Sequence, residues 1–116
     1  MKLSIIVCVL NEIKTIEKIL QKINDVELPN NIQKEIIVID NNSIDGTKEF
    51  LQKIQISENL KIFFQKKNFG KGNSIIKGIE ESSGDIIIFQ DADLEYDPNN
   101  YNKLINHLIK NNLDAV

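Results

Sequence analysis

Two aspartates separated by a single residue follow a short apolar run of the sequence. Asp91 and Asp93 are separated by Ala92 and come soon after the apolar run 86–89. Side chains alternate along an extended strand, so the two carboxylates share one side if that conformation persists. Mg²⁺ and Mn²⁺ prefer oxygen ligands, and one or two carboxylates leave room for substrate phosphates. The spacing therefore predicts a metal-diphosphate site, and the alternative is a turn whose aspartates cap a following helix.

Polar residues also follow the two earlier apolar runs. Glu12 comes soon after the first run, and Asp40 and Asn41 end the second. Carboxylate and amide oxygens accept hydrogen bonds from base N–H groups, and carboxylates also accept from ribose hydroxyls. Helix capping is the alternative for Glu12 and Asp40. For Asp45, which precedes Gly46, a turn and helix start is the favoured interpretation.

A glycine-rich stretch lies between the third and fourth apolar runs. Gly70 and Gly72 permit a close backbone approach, and Lys71 between them is placed to meet a phosphate or ribose from the start of a helix. The stretch lacks Walker A spacing, and no G-x-G-x-x-G follows the first apolar run. These absences argue against P-loop hydrolysis and NAD binding of the Rossmann type.

Hydrophobic periodicity predicts strands that alternate with helices. The predicted strands are 3–10, 35–40, 60–65 and 85–90. Helical spacing begins at Ile13, after Thr47, after Gly72 and near Asp97-Pro98. This order predicts an α/β fold with a mostly parallel, Rossmann-like sheet and helices on both faces.

The last residues of the sequence resemble the beginning of another strand. Residues 113–116 are largely apolar and follow the last helical pattern. We therefore expect the sheet to be incomplete at the carboxyl end, with its edge exposed. An exposed edge favours pairing with a second copy of the chain, so a homodimer is an expected consequence.

Composition indicates one small domain. The 116 residues are 41% hydrophobic and carry a net charge of −3, which gives no reason to expect nucleic-acid binding. Cys8 lies within the first apolar run, where a buried thiol is favoured over a nucleophile. The run is too short for a membrane span and lacks a signal-peptide cleavage site, so a cytoplasmic location is expected.

Four ordered motifs resemble the GT-A family 2 glycosyltransferases, particularly their dolichyl- or polyprenyl-phosphate mannose and glucose synthase branch. The resemblance covers essentially the whole chain. The motifs are residues 4–12, 39–47, 68–72 and 84–98. By this resemblance, residues 1–116 are the donor-binding part of a GT-A domain.

The resemblance implies roles for individual residues. Leu10, Glu12 and either Asp40 or Asn41 line the nucleoside pocket, and Asp91 approaches the ribose. Together with Lys71 and Ala92, these residues form the expected nucleotide-sugar-binding set. The expected ligands of Mg²⁺ or Mn²⁺ are Asp91 and Asp93, with Glu95 contributing in some members of the family.

Two positions depart from the family pattern. Cys8 stands where proline is frequent, and Asn41 replaces the second aspartate of a frequent pair. An amide oxygen still accepts a base N–H, so UDP-sugars are expected ahead of GDP-sugars.

The implied reaction transfers a sugar to a lipid phosphate or glycan, with inversion by direct displacement, in the cytoplasm or at the cytoplasmic face of a membrane. No residue is assigned as general base, and the family's acceptor-side motifs are expected beyond Val116. A non-catalytic nucleotide-sugar-binding fragment is the principal alternative. A nucleotidyltransferase ranks last, because its glycine-rich opening loop is missing.

Overall fold

In the part of the chain that the structure describes, seven secondary-structure elements alternate strictly between strand and helix. The computed structural model describes residues 1–28, 31–54, 56, 59–68 and 70–91. In these ranges, the elements are β1 (Lys2–Val9), α1 (Ile16–Asp25), β2 (Gln33–Asp40), α2 (Thr47–Gln52), β3 (Leu60–Phe64), α3 (Lys71–Glu81) and β4 (Ile86–Asp91). The predicted helix near Asp97 and the predicted strand at 113–116 lie outside the described residues. No helix in the described part is long and apolar enough to cross a membrane.

The four strands form one parallel sheet in the order β3-β2-β1-β4. β1 and β2 are therefore the inner strands of this sheet, and both consist almost entirely of buried residues. Burial on both faces explains why their sequences are continuous apolar runs and not alternating ones. The predicted α/β fold with a Rossmann-like parallel sheet is confirmed.

One face of the sheet packs against α1 and α2. Leu3, Ile5, Val7 and Val9 alternate along β1 and join one apolar cluster with residues of both helices. The helical members are Ile16, Ile19, Ile23 and Leu51. Their spacing of three and four residues in α1 places one apolar stripe on the sheet.

The opposite face packs against α3 through small side chains. Ser74 and Gly78 are the buried residues of this helix, whereas Ile76 and Ile79 are 55% and 45% exposed. A Cβ atom on Gly78 would lie 2.4 Å from Cγ2 of Ile6, so the helix lies too close to β1 for a larger residue. The isoleucine spacing located the helix correctly, although the buried residues of the helix are the small Ser74 and Gly78 and not Ile76 or Ile79. Helices on both faces of the sheet are confirmed.

α1 begins three residues later than Ile13, where the helical spacing starts. The Thr15 and Ile16 N–H groups both donate to the Glu12 carbonyl, which forms a turn before the helix. Ile13 lies in that turn, and its N–H donates to Asp45 Oδ2 at 3.2 Å. Ile13 therefore contributes to the contact between two loops and does not belong to α1.

A buried carboxylate joins the strands toward their amino ends. Glu35 of β2 is fully buried, and its Oε2 accepts hydrogen bonds from Ser4 Oγ at 2.8 Å and from the Ser83 N–H at 3.1 Å. The Lys61 ammonium lies 3.4 Å from the other oxygen, Oε1. Burial raises the pKa of Glu35, but the hydrogen bonds from Ser4 and Ser83 outweigh burial and hold the pKa below its usual value.

Candidate functional site

The carboxyl ends of β1, β2 and β4 surround a pocket of about 560 Å³, which we call the carboxyl-edge pocket. Its volume is within the range of small-molecule sites. Open α/β sheets bind ligands at this edge, where neighbouring connections leave a crevice. The lining residues are Cys8, Val9, Leu10, Glu12, Asn41, Asn68, Gly70, Lys71, Ser74 and Asp91.

Hydrogen bonds between two loops hold the β1 end of the pocket. Asn11 has a φ of 54°, and its N–H donates to Ser43 Oγ at 2.9 Å. The next N–H, that of Glu12, donates to Thr47 Oγ1 at 3.0 Å. These contacts fix the backbone on either side of Asn11, and both Leu10 and Glu12 border the carboxyl-edge pocket.

Asp40 and its neighbour Asn41 have different surroundings. The Asp40 carboxylate is fully buried and accepts hydrogen bonds from Ser43 Oγ at 2.6 Å and the Ser43 N–H at 3.1 Å. Asn41 lines the pocket, and its N–H donates to the Val9 carbonyl at 2.8 Å. Of the two residues that the resemblance offered for the nucleoside, Asn41 is therefore the one that borders the pocket.

Asn68 was not among the expected binding residues, yet it borders the pocket beside Asn41. Its Oδ1 accepts a hydrogen bond from Asn41 Nδ2 at 2.7 Å and another from the Gly70 N–H at 3.0 Å. The sequence offered one signal, because an amide two residues before a glycine is a frequent turn pattern. The contact with Asn41 had no signal in sequence, since the two residues are 27 positions apart.

Lys71 and Asp91 both line the pocket and form an ion pair with each other. Lys71 Nζ lies 2.7 Å from Asp91 Oδ1, and the side chains are 63% and 30% exposed. Lys71 is the first residue of α3, so a cation and a helix amino terminus border the same space. Both favour an anionic ligand such as a phosphate group.

The pocket offers few side chains that could bind a divalent cation. Among the described residues, no three carboxylate, histidine or cysteine side chains cluster as a complete metal site. Mg²⁺ and Mn²⁺ need only one or two carboxylates when a diphosphate supplies further oxygens. Asp91 at the pocket fits that mode. Asp93 and Glu95, the other expected ligands, and Ala92 lie outside the described residues.

Cys8 lines the pocket but is unsuited to nucleophilic chemistry. Burial raises the pKa of its thiol to about 11; the Lys71 charge lowers it and the Asp91 charge raises it. A thiol that keeps its proton at neutral pH is a poor nucleophile.

Asp45 has the structural role that the sequence predicted. Its Oδ1 accepts a hydrogen bond from the Thr47 N–H at 3.0 Å at the beginning of α2. Desolvation raises the pKa of Asp45, but hydrogen bonds from Thr47 and Ile13 outweigh it and keep the pKa below the usual value. Asp45 is not among the residues that line the carboxyl-edge pocket.

The parallel sheet and the alternating order of its strands and helices are those of the GT-A glycosyltransferase fold. The family model of Glycosyl transferase family 2 matches residues 4–116. The chain belongs to that family, as the four motifs predicted.

Relatives and solved structures agree with this assignment. A dolichol-phosphate mannosyltransferase of Pyrococcus furiosus is 33% identical over the whole chain, which covers 32% of that protein. A crystal structure of S. aureus TarS in complex with UDP-GlcNAc has a TM-score of 0.75 and 26% identity, covering 96% of this chain and 32% of that one. The mannosyltransferase PcManGT of Pyrobaculum calidifontis, in complex with GDP-Man and Mn²⁺, has a TM-score of 0.68 and 25% identity, covering 78% of this chain and 27% of that one. The chain thus spans about a third of the length of these proteins.

Proposed function

We propose that the carboxyl-edge pocket binds the nucleotide diphosphate of a sugar donor, and that residues 1–116 are the donor-binding part of a glycosyltransferase. One observation carries this proposal. In a family 2 chain, a single pocket is bordered by an amide from β2, a lysine at the start of α3 and a carboxylate at the end of β4. These groups suit a base, a phosphate and a metal-bound phosphate, in that order.

The donor nucleotide spans the pocket from Asn41 toward Lys71 and Asp91. Leu10 offers an apolar contact near the base, and Glu12 offers an acceptor for a ribose hydroxyl. Lys71 donates to the diphosphate, where a charge-assisted hydrogen bond is strongest. We place the buried Asp40 behind this surface, where its bonds to Ser43 hold the loop that carries Asn41.

Mg²⁺ or Mn²⁺ offsets the negative charge that develops on a departing diphosphate. Asp91 and Asp93 would hold the cation, with Glu95 as a further ligand. The complex of PcManGT with GDP-Man and Mn²⁺ supports a divalent cation without deciding between the two metals.

We propose a UDP-sugar as donor. The side-chain oxygen of Asn41 would accept a base N–H, such as the N3–H of uracil, as an amide oxygen can. The TarS complex with UDP-GlcNAc supports this choice, whereas the PcManGT complex with GDP-Man keeps a guanine donor as the competing outcome.

The proposed reaction is direct displacement with inversion at the sugar. An ionised lipid phosphate as acceptor needs no general base, and the name of the Pyrococcus furiosus relative supports that class of acceptor. Such an acceptor would place the protein at the cytoplasmic face of a membrane. Pairing of two copies through a sheet edge belongs to the same proposal and is tested by sedimentation of the chain at several concentrations.

Calorimetric titration tests the donor site. UDP, GDP and a UDP-sugar are titrated with and without Mn²⁺ into the chain and into its Asp91→Asn and Asp93→Asn variants. Glu80→Gln is the matched control, because Glu80 is an exposed carboxylate on α3 that does not line the pocket. We expect metal-dependent UDP binding that both aspartate variants lose and the control keeps. Equal UDP binding in all four proteins contradicts the proposed metal-nucleotide site. Tighter binding of GDP than of UDP contradicts the proposal of a UDP-sugar as donor.

A non-catalytic nucleotide-sugar-binding role is the second candidate. It requires only the donor-binding groups that line the carboxyl-edge pocket. Slow donor hydrolysis that Asp93→Ala abolishes supports residual transferase chemistry. Metal-dependent donor binding with no hydrolysis supports the binding role.

A further inference from the structure

We propose that Asn68 selects nucleotides by their base, because its side-chain NH₂ group donates a hydrogen bond to the keto oxygen of a uracil or a guanine. The inference rests on the proposed function, since it assigns a residue to the base of the nucleotide bound in the carboxyl-edge pocket. The Asn68 side chain lines that pocket and is exposed, so a ligand can reach it.

Two donors fix the orientation of the Asn68 amide. The Gly70 N–H can only donate, so the Asn68 atom that lies 3.0 Å from it is the carbonyl oxygen Oδ1. The same oxygen accepts a second hydrogen bond, from Asn41 Nδ2 at 2.7 Å. The usual ambiguity between the oxygen and the nitrogen of an amide is therefore removed at Asn68.

The other branch of this amide is an NH₂ group that is available to a ligand. In the part of the chain that the structure describes, the hydrogen bonds of the Asn68 side chain are the two that its oxygen accepts. Turning the amide over would place the NH₂ group against the Gly70 N–H, and two facing donors leave both unsatisfied. The pocket therefore has a donor at this point that does not exchange with an acceptor.

Asn68 lies at the end of the pocket where we place the base. Its oxygen is bonded to Asn41, the residue that we assign to the base. The phosphates have other partners, because Lys71 and the amino terminus of α3 favour anions. The neutral NH₂ group of Asn68 is therefore assigned to a substituent of the base ring.

A fixed donor distinguishes keto bases from amino bases. Uracil carries a carbonyl oxygen at position 4 and guanine carries one at position 6, and both oxygens accept hydrogen bonds. Cytosine and adenine carry an amino group at the corresponding positions, which would face the Asn68 NH₂ group donor to donor. Asn68 therefore favours UDP over CDP and GDP over ADP, and it does not discriminate between UDP and GDP.

Asn68→Asp changes the donor and keeps the turn. A carboxylate still accepts from Gly70 and Asn41, while the free branch becomes an acceptor. UDP with CDP, and GDP with ADP, are titrated calorimetrically in the presence of Mn²⁺, and the keto/amino affinity ratio is taken within whichever pair binds. We expect a ratio of about ten or more in the unmodified chain. In Asn68→Asp the ratio should fall by about tenfold or more, because the introduced carboxylate accepts from an amino group.

Two further variants serve as controls. Asn24→Asp adds the same charge on α1, at a groove separate from the carboxyl-edge pocket, and should leave the ratio unchanged. Asn68→Ala removes the donor together with both accepted bonds, so its ratio should lie within about threefold of one. If Asn68→Asp binds no nucleotide, the ratio in Asn68→Ala decides.

A ratio that is the same in Asn68→Asp and in the unmodified chain overturns the role of Asn68 and leaves the proposed function standing. An equal loss of affinity for keto and amino nucleotides is that outcome, and it would assign Asn68 to the phosphates or to the loop alone. An unmodified chain without a keto preference also overturns the role. If the unmodified chain binds none of the four nucleotides, the proposed function fails and this inference fails with it.

Discussion

Replacing Lys71 with methionine should change metal binding and nucleotide binding in opposite directions. The lysine ammonium lies 2.7 Å from Asp91 Oδ1, so it occupies part of the space that a cation bound to this carboxylate would need. It also lies at the start of α3, where we place the donor diphosphate. Lys71 therefore competes with a bare metal ion but assists a metal-nucleotide complex.

The exposure of the ion pair determines how strongly Lys71→Met should change the affinity for Mn²⁺. With side chains 63% and 30% exposed, the pair contributes only about 0.2–1 kcal/mol. Lys71→Met should therefore tighten the binding of Mn²⁺ alone by no more than about fivefold. A charge-assisted hydrogen bond to phosphate contributes about 1.5–3 kcal/mol, so the affinity for UDP in saturating Mn²⁺ should fall by about 10- to 150-fold.

Titration of Mn²⁺ followed by electron paramagnetic resonance measures the affinity for the metal alone. Calorimetry with UDP in saturating Mn²⁺ measures the affinity for the nucleotide. Lys77→Met is the matched control, because Lys77 lies on the same helix and pairs with Glu81 at 2.9 Å, away from the pocket. Lys71→Arg keeps the charge and should retain most of the UDP affinity. Weaker Mn²⁺ binding in Lys71→Met, or a loss of UDP affinity below about threefold, would refute the reasoning.

Three predictions concern stability and reactivity. Gly78→Ala should cost about 1–3 kcal/mol in urea unfolding, because its Cβ would lie 2.4 Å from Ile6 Cγ2; Gly72→Ala, which meets nothing within 4 Å, should cost nothing. The lowered pKa of Glu35 means that its contribution to the free energy of unfolding is present above pH 4.5, the usual value, and is lost as the pH falls below it. Glu35→Gln should therefore flatten the pH dependence of stability below pH 4.5, and an unchanged slope would show that another group causes it. The thiol of Cys8, with its pKa raised to about 11, should react with iodoacetamide at pH 7.5 far more slowly in the native chain than in urea, and equal rates would contradict its burial.

The strands could be predicted from sequence because burial on both faces leaves a direct signature. β1 and β2 are inner strands of the parallel sheet, and their apolar runs were located to within two residues. The end of β4 was also located closely, which placed Asp91 at the edge of the sheet. Locating the end of a strand also locates the residues at and just after that end. Leu10, Glu12, Asn41 and Asp91 are such residues, and all of them border the pocket.

The sheet-facing side of α3 could not be predicted from apolar periodicity. Ser74 and Gly78 face the sheet because the helix lies very close to β1, and small residues carry no hydrophobic signal. Ile76 and Ile79, which carry the apolar signal of the same helix, are about half exposed. Only the distance between two packed elements reveals that a small residue is required.

The bond between Asn41 and Asn68 also lies beyond sequence reasoning. It joins residues 27 positions apart, and it depends on the turn in which the Gly70 N–H meets Asn68 Oδ1. The same holds for Asp40 and Asn41, which are adjacent in sequence but differ in role. Contacts with Ser43 decide that Asp40 supports the loop while Asn41 borders the pocket.

Nuclear magnetic resonance with ¹⁵N-labelled chain tests most directly whether the carboxyl-edge pocket is the nucleotide site. On addition of UDP and Mg²⁺, we expect amide shifts for Leu10, Asn41 and Lys71, which line this pocket. The amides of Asn24 and Asn59, which border a separate groove between α1 and the beginnings of β2 and β3, should stay unchanged. Shifts confined to that groove, or no shifts at saturating UDP, would contradict the account.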